Sequence, residues 1–500
     1  MQAQLQKLTE LTAEIADLNH ANALLGWDQH VYMPPGGAEE RGNMMGTLGK
    51  LAHEKFTSEE MGKLLADLKT HLPELDADGD TYRLISVTAR DYEKSTCVPP
   101  EFIAEQAQVT AMAQQAWVEA RTKSDFSIFC PHLEKVVELN QRFVTFFPPA
   151  DHPYDTLLDT YEPGMKTAEV KAIFDGLRPL QVELLRAISQ RPQVEDAFMH
   201  LDYDEKTMWD FSVEVATAFG YDWKRGRQDP TAHPFCQSIG PDDVRITSRW
   251  VPELPYALLF GTMHETGHAL YEQGVDHSWN RTALESGASL GIHESQSRMW
   301  ENQVGRSRAF WEHFYPRLQE RFKTQLGNVS LDQFYRGINR VQPSCIRVEA
   351  DEATYNLHIM LRLELEIAML EGSVAIKDLP EIWNAKMQDY LGIVPPDDAR
   401  GVLQDVHWSG GMLGYFSTYA LGNLISAQLW EKFKSLNPEL NNQLRQGDFS
   451  ALLAWLRGEI HQHGRKYQPQ ELVERVTGSK IDPAPYIIYL KEKYGEIYGL

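Results

Sequence analysis

The chain has 500 residues, 42% hydrophobic and 24% charged, with a formal net charge of −23. This is the composition of a soluble globular protein with length for a large core, and the acidic balance without any basic run excludes a nucleic-acid groove. Cys97, Cys130, Cys236 and Cys345 are scattered with no C-x-x-C pair, which excludes a zinc ribbon and a disulfide scaffold.

Leu5, Leu8, Leu11, Ile15 and Leu18 recur at helical spacing, and Pro34-Pro35-Gly36-Gly37 ends that section. The first residues lack the basic head and apolar core of a signal peptide, so the cytoplasm is the expected location. Pro99-Pro100 opens a predicted helix over residues 101–122. Further helices are predicted over 131–146, 167–190, 205–219 and 356–370. Residues 229–250, rich in Pro, Gly and Asp, break the pattern. There Val244-Arg245-Ile246-Thr247 alternates apolar and polar and predicts a short strand, suited to pairing with an extended peptide backbone. No apolar run approaches the ~20 residues of a membrane span, and no strand–helix alternation suggests a Rossmann-like sheet. The expected fold is mainly α: a single domain over residues 1–500, two helical lobes around a deep cleft, with a small β element beside the helix that follows it.

That next helix carries the strongest signal. Pro255 starts an apolar run that leads into His264-Glu265-Thr266-Gly267-His268 and ends near Gly274. Residues four apart share a helix face, so both imidazoles can meet one metal ion while Glu265, turned aside, can hold an attacking water. With 17 histidines in the chain, chance would supply about 0.08 such matches. Zinc needs a third protein ligand. Tyr271 and Gly274 stand where the metzincin pattern requires Gly and His, so that class is excluded. A downstream Glu on a returning helix remains, and Glu294, Glu285 and Glu301 are the candidates on spacing.

His264–His268 followed by His293-Glu294-Ser295-Gln296 resembles the carboxypeptidase Taq family of zinc metallocarboxypeptidases. His233-Pro234-Phe235, Asp243-Val244-Arg245-Ile246-Thr247, Ile346-Arg347-Val348-Glu349-Ala350-Asp351 and Gly401-Val402-Leu403-Gln404-Asp405-Val406-His407-Trp408 resemble its HPF, D-x-R-x-T, I-R-x-x-A-D and G-x-x-Q-D-x-H-W motifs, in that order. Leu25-Gly26-Trp27-Asp28, Met33-Pro34-Pro35-Gly36-Gly37 and the closing stretch over 486–494 also look familial. The resemblance implies a two-lobed helical fold, Glu294 as the third ligand, one zinc per chain with cobalt as a substitute, peptide substrates of broad specificity and a homodimer.

The chemistry expected of these residues is release of single C-terminal amino acids. Zinc on His264, His268 and Glu294 activates water, Glu265 acts as general base, and a donor must stabilise the oxyanion. His407 is the candidate donor, with Asp405 to orient it and Trp408 as an apolar wall, and Tyr415 or Tyr419 as partners. Arg347 is favoured by the resemblance to bind the terminal carboxylate, for which a guanidinium is the natural device, with His233 lining the substrate site. Asp243 and Arg245 are expected to hold their loop. The alternatives are an oligoendopeptidase or dipeptidyl carboxypeptidase sharing the helix and ligands, and a non-catalytic metal-binding protein.

Overall fold

Leu8, Leu11 and Ile15 lay one apolar stripe along α1 (Gln2–Val31) in the computed structural model, which describes residues 1–500. The stripe faces α2 (Ala38–Phe56), α3 (Glu59–Lys69) and α4 (Asp80–Cys97), and together these helices close a small core of their own around Leu8, Met61, Leu65, Leu68 and Ile85. A far larger core is built by the rest of the chain. The first group is tied to it by ion pairs, among them Arg83–Glu471 at 2.7 Å, Arg465–Asp91 at 2.8 Å and Lys466–Asp80 at 2.6 Å. Such partly exposed pairs are each worth about 0–1 kcal/mol, so they orient the group more than they bind it.

The chain continues through α5 (Pro100–Lys123), α6 (Phe126–Phe143), α7 (Pro153–Tyr161), α8 (Thr167–Ser189) and α9 (Glu205–Phe219). The predicted spans for α5, α8 and α9 agree with these within two residues. α6 starts earlier than Pro131, because Asp125 caps it by accepting from Ser127 N at 3.0 Å, and the proline sits inside the helix at the cost of one backbone donor. The irregular stretch contains β1 (Gln228–Pro230), β2 (Cys236–Ser238) and β3 (Val244–Ser248), the last being the predicted strand. The order is β1–β3–β2, parallel on one side and antiparallel on the other, which leaves β2 as an edge.

β3 packs on α10 (Tyr256–Glu272), which runs between the sheet, α9 and α11 (Leu290–Arg298). Leu258, Leu259, Phe260, Met263, Leu270 and Tyr271 are buried around α10, so it is a core helix and not an amphipathic surface one. Each such side chain contributes roughly 1.5–3 kcal/mol through burial. Gly267 permits the α10–α11 crossing: a Cβ there would lie 2.6 Å from Gln296 O and Ser297 Cα. After Arg298 the helix widens into a π-helical turn, Met299–Val304. Of the later helices, α12 (Glu352–Glu371) begins before the predicted 356, since Asp351 caps it through Ala353 N (2.9 Å) and Thr354 N (3.1 Å). α13 (Ser417–Leu436) packs along α11 and completes the walls of a cavity of about 720 Å³ between α1, β2, α10, α11 and α13.

Candidate active site

At the floor of this cavity His264 and His268, one turn apart on α10, turn their Nε2 atoms toward Glu294 of α11. Each lies 3.6 Å from Glu294 Oε2, and the three donor atoms fall within 4.8 Å of one another. Bonds of ~2.0–2.2 Å to a tetrahedral ion place neighbouring ligand atoms about 3.4 Å apart, so the two His–Glu separations are close to those of a zinc site, and two imidazoles with a carboxylate suit its chemistry. Both Nδ1 atoms are engaged elsewhere: His264 Nδ1 with Glu301 Oε2 at 3.0 Å and His268 Nδ1 with His293 Nδ1 at 2.6 Å. Only the Nε2 atoms are left to face inward. Glu294 Oε1 accepts from Arg298 Nε at 2.7 Å, and Gly422 of α13 lets the carboxylate stem pass, since a Cβ there would meet Glu294 Cβ at 2.6 Å.

The other two acids weighed for the third position are placed differently. Glu301, in the π-helical turn, sits behind His264 instead of joining it at the donor cluster. Burial would raise its carboxyl, but the hydrogen bond from His264 and the charge of Arg298 hold it well below the usual carboxylate range. Glu285 accepts from Arg281 N at 2.7 Å and pairs with His20 of α1 at 3.2 Å across the cavity rim. The turn expected around it is present, with Ser286 at φ +78°. Glu265 lines the cavity beside the two histidines. Burial pushes its carboxyl up to about 7, opposed by the charge of His264 and reinforced by Glu294 and Glu301.

Of the remaining predicted residues, Tyr415 and Tyr419 line the cavity, and burial raises both phenols, so their hydroxyls stay protonated and able to donate. His407 lies behind them, its Nε2 3.5 Å from the Tyr419 hydroxyl, at the limit of a hydrogen bond. Asp405 does not orient it: the nearest approach is 4.0 Å, because that carboxylate is taken by Arg347 (Nη2 2.8 Å) and Arg362 (Nε 2.7 Å). Its apolar wall is Phe416, with ring centroids 4.5 Å apart, while Trp408 turns away to donate to Glu366 at 2.7 Å. Arg347 also lies behind the tyrosines, its guanidinium 5.0 Å from the Tyr419 ring and bonded to Tyr355 and Asp405. His233 corrects the expectation most clearly. Its side chain is exposed, and Pro234 and Phe235 line the cavity in its place. Thr247 clamps Phe235 from both sides, Oγ1 accepting from its N–H at 2.9 Å and the Thr247 N–H donating to its carbonyl at 2.9 Å, which leaves His233 outside the clamp. Arg245 is bound bidentately by Asp243 (2.7 Å each) and stacks 4.3 Å from the Trp27 ring, so this motif holds the loop and α1 together.

A family model described as carboxypeptidase Taq (M32) metallopeptidase matches residues 7–494. The chain belongs to that family. It is 42% identical to thermostable carboxypeptidase 1 of Thermus thermophilus, covering 100% of this chain and 99% of that protein. It is 39% identical to carboxypeptidase 1 of Bacillus subtilis, over 98% of each. The crystal structure of the M32 carboxypeptidase from Deinococcus radiodurans R1 superposes with a TM-score of 0.97 at 41% identity over 100% of both chains. The Trypanosoma cruzi metallocarboxypeptidase 1 does so at 0.94 and 33%, over 99% of this chain and 100% of that one. As an M32 member the protein is a metallocarboxypeptidase, a hydrolase of peptide bonds. No helix is long and apolar enough to cross a membrane.

Sequence reasoning gave no role to four residues that the structure places at or behind the candidate site. Glu272 and His293 back His268, Arg362 shares Asp405 with Arg347, and His20 brings α1 to the rim. Glu272 had a signal, since it follows His268 by one helical turn on the ligand face. Arg362 and His20 had none, because their partners lie far away in sequence.

Proposed function

We propose that His264, His268 and Glu294 hold one zinc ion per chain, with cobalt as a substitute, and that Glu265 is the general base in releasing single C-terminal residues with broad side-chain tolerance. The observation that supports this most is the convergence of three donor atoms within 4.8 Å at the floor of a cavity that Glu265 also lines. Bound there, the ion supplies Lewis acidity, acidifying water and polarising a carbonyl. Glu265, beside the two histidines in the cavity wall, accepts the proton of the attacking water and passes it to the leaving amine. The hydroxyls of Tyr415 and Tyr419 donate to the developing oxyanion. His407, expected from sequence to do this itself, positions Tyr419 from behind.

Arg347 remains the proposed partner of the terminal carboxylate. Asp405 faces two buried guanidiniums, Arg347 and Arg362, so one positive charge is left unmatched by that carboxylate beneath the tyrosine wall. A substrate carboxylate drawn to that side sets the polarity of the bound peptide.

Glu265→Gln tests the division of labour. It should keep zinc yet lose at least ~10²-fold in kcat, since a general base contributes ~10²–10⁴. His264→Ala and Glu294→Ala should lose metal and activity together. Zinc retained in Glu294→Ala but lost in Glu265→Gln would contradict the assignment.

A further inference from the structure

Beside the donor cluster lies a chain of hydrogen bonds that the reaction itself does not use. Glu272 follows His268 by one turn on the same face of α10, yet its buried carboxylate does not reach that ring directly. His293, projecting from α11, stands between them. Its Nδ1 is 2.6 Å from His268 Nδ1 and its Nε2 is 2.7 Å from Glu272 Oε1. The His293 ring lines the cavity but is packed closely on its protein side. The Tyr271 ring lies 5.1 Å from it centroid to centroid, and Gly287 packs so closely that a Cβ there would come within 2.8 Å of His293 Cδ2. Ser286 Oγ donates to the same Glu272 oxygen at 3.1 Å, fixing the far end.

We propose that His293 and Glu272 are positioning residues for the metal ligand His268, an inference that rests on the three-ligand reading above. Two ring nitrogens 2.6 Å apart must share a single proton. With His268 Nε2 given to the ion, its neutral ring carries that proton on Nδ1. His293 Nδ1 is then the acceptor, which leaves the His293 proton on Nε2, where it is donated to Glu272. Every donor in the chain meets an acceptor, and the order runs one way only. His264 has the shorter version, with Glu301 directly on its Nδ1 at 3.0 Å. The two histidine ligands are therefore backed by carboxylates at different remove, one in contact and one through an imidazole. Partners of this kind fix the ligand's tautomer and ring orientation, and their loss commonly weakens metal affinity by about 10–100-fold.

The test is the zinc dissociation constant of the purified full-length chain, read by chelator competition at fixed pH, together with the melting temperature of the metal-free protein. His293→Leu removes the link and should weaken zinc about 10–100-fold, as should Glu272→Ala. His293→Gln keeps an acceptor oxygen and a donor nitrogen and should recover most of the affinity. Metal-free melting temperatures should not follow that ranking. Zinc binding by His293→Leu equal to wild type, or His293→Gln no better than His293→Leu, would overturn the proposal. Nitrogen-15 spectra of the zinc-loaded wild type give a readout independent of any variant's folding: His293 should be protonated on Nε2 alone, and protonation on Nδ1 would overturn the proposal. Failure of the three-ligand reading looks different, because wild type would then bind no zinc that His264→Ala abolishes.

Discussion

His407 has one unpartnered, buried ring nitrogen, Nδ1, and two arginines close behind it. Burial pushes the imidazole down to about 4, with Asp405 opposing and Arg347 and Arg362 adding to the shift, so the ring is neutral at pH 7. An unfolded chain binds that proton near pH 6.5. Between pH 6.5 and 4 the unfolded state therefore holds more protons than the folded one, and folding stability falls as the pH falls. The shift corresponds to about 3 kcal/mol over that window. Urea unfolding of metal-free protein should show a shallower acid loss for His407→Phe than for wild type; parallel pH profiles would contradict the assigned environment. At this scale the sequence was legible where chemistry is local. His264, Glu265 and His268 follow from helical spacing alone, and Glu294 needed the family resemblance to separate it from Glu285 and Glu301. Around His407 the expected Tyr419 is present, but Asp405 and Trp408 serve other partners, because Arg362 and Asp405 come together across 43 residues, Arg347 and Asp405 across 58, and Glu366 and Trp408 across 42.

At the scale of elements, the three proposed ligands meet because three helices approach closely at small residues. Gly267 admits α11 to α10, and Gly422 admits α13 to the stem of Glu294, where an added Cβ would lie 2.5 Å from Cγ. Gly422→Ala should overpack this contact, destabilise the fold by about 1–3 kcal/mol and weaken zinc binding as Glu294 shifts. Gly458, exposed in the helix Ser450–Glu459 with nothing within 4 Å of an added Cβ, supplies the contrast. Gly458→Ala should stabilise by up to about 1 kcal/mol and leave zinc binding alone. Chemical denaturation and chelator competition on both variants check this, and equal zinc affinity in Gly422→Ala and wild type would contradict the packing argument. Helices with clear start and stop signals were readable from periodicity, as α5, α8 and α9 show. The starts of α6 and α12 were not, since Asp125 and Asp351 act as caps only in company with the backbone they meet. The π-helical turn at Met299–Val304 has no counterpart in a 3.6-residue pattern, yet it carries Glu301 to His264.

Over the whole molecule, the cavity is assembled from parts of the chain that share no local pattern. α1 belongs to a helical group with its own small core, and it reaches the rim through the His20–Glu285 and Arg281–Asp17 contacts (3.2 Å and 2.8 Å). Two helical masses around a cleft were foreseeable from the resemblance, but the separate N-terminal core was not, since apolar spacing does not say which helices will pair. The donor cluster, the edge strand β2 and the tyrosines in front of Arg347 bound one cavity, and the proposed function gives it a direction, with the C-terminal end of a peptide under Tyr415 and Tyr419. The most direct test of this account is a time course of the zinc-loaded enzyme on one long peptide with its C-terminus either free or amidated. The free peptide should lose single residues in order from its C-terminus, and amidation should abolish most cleavage. Equal turnover of the two peptides, release of dipeptides, or internal cuts would contradict it.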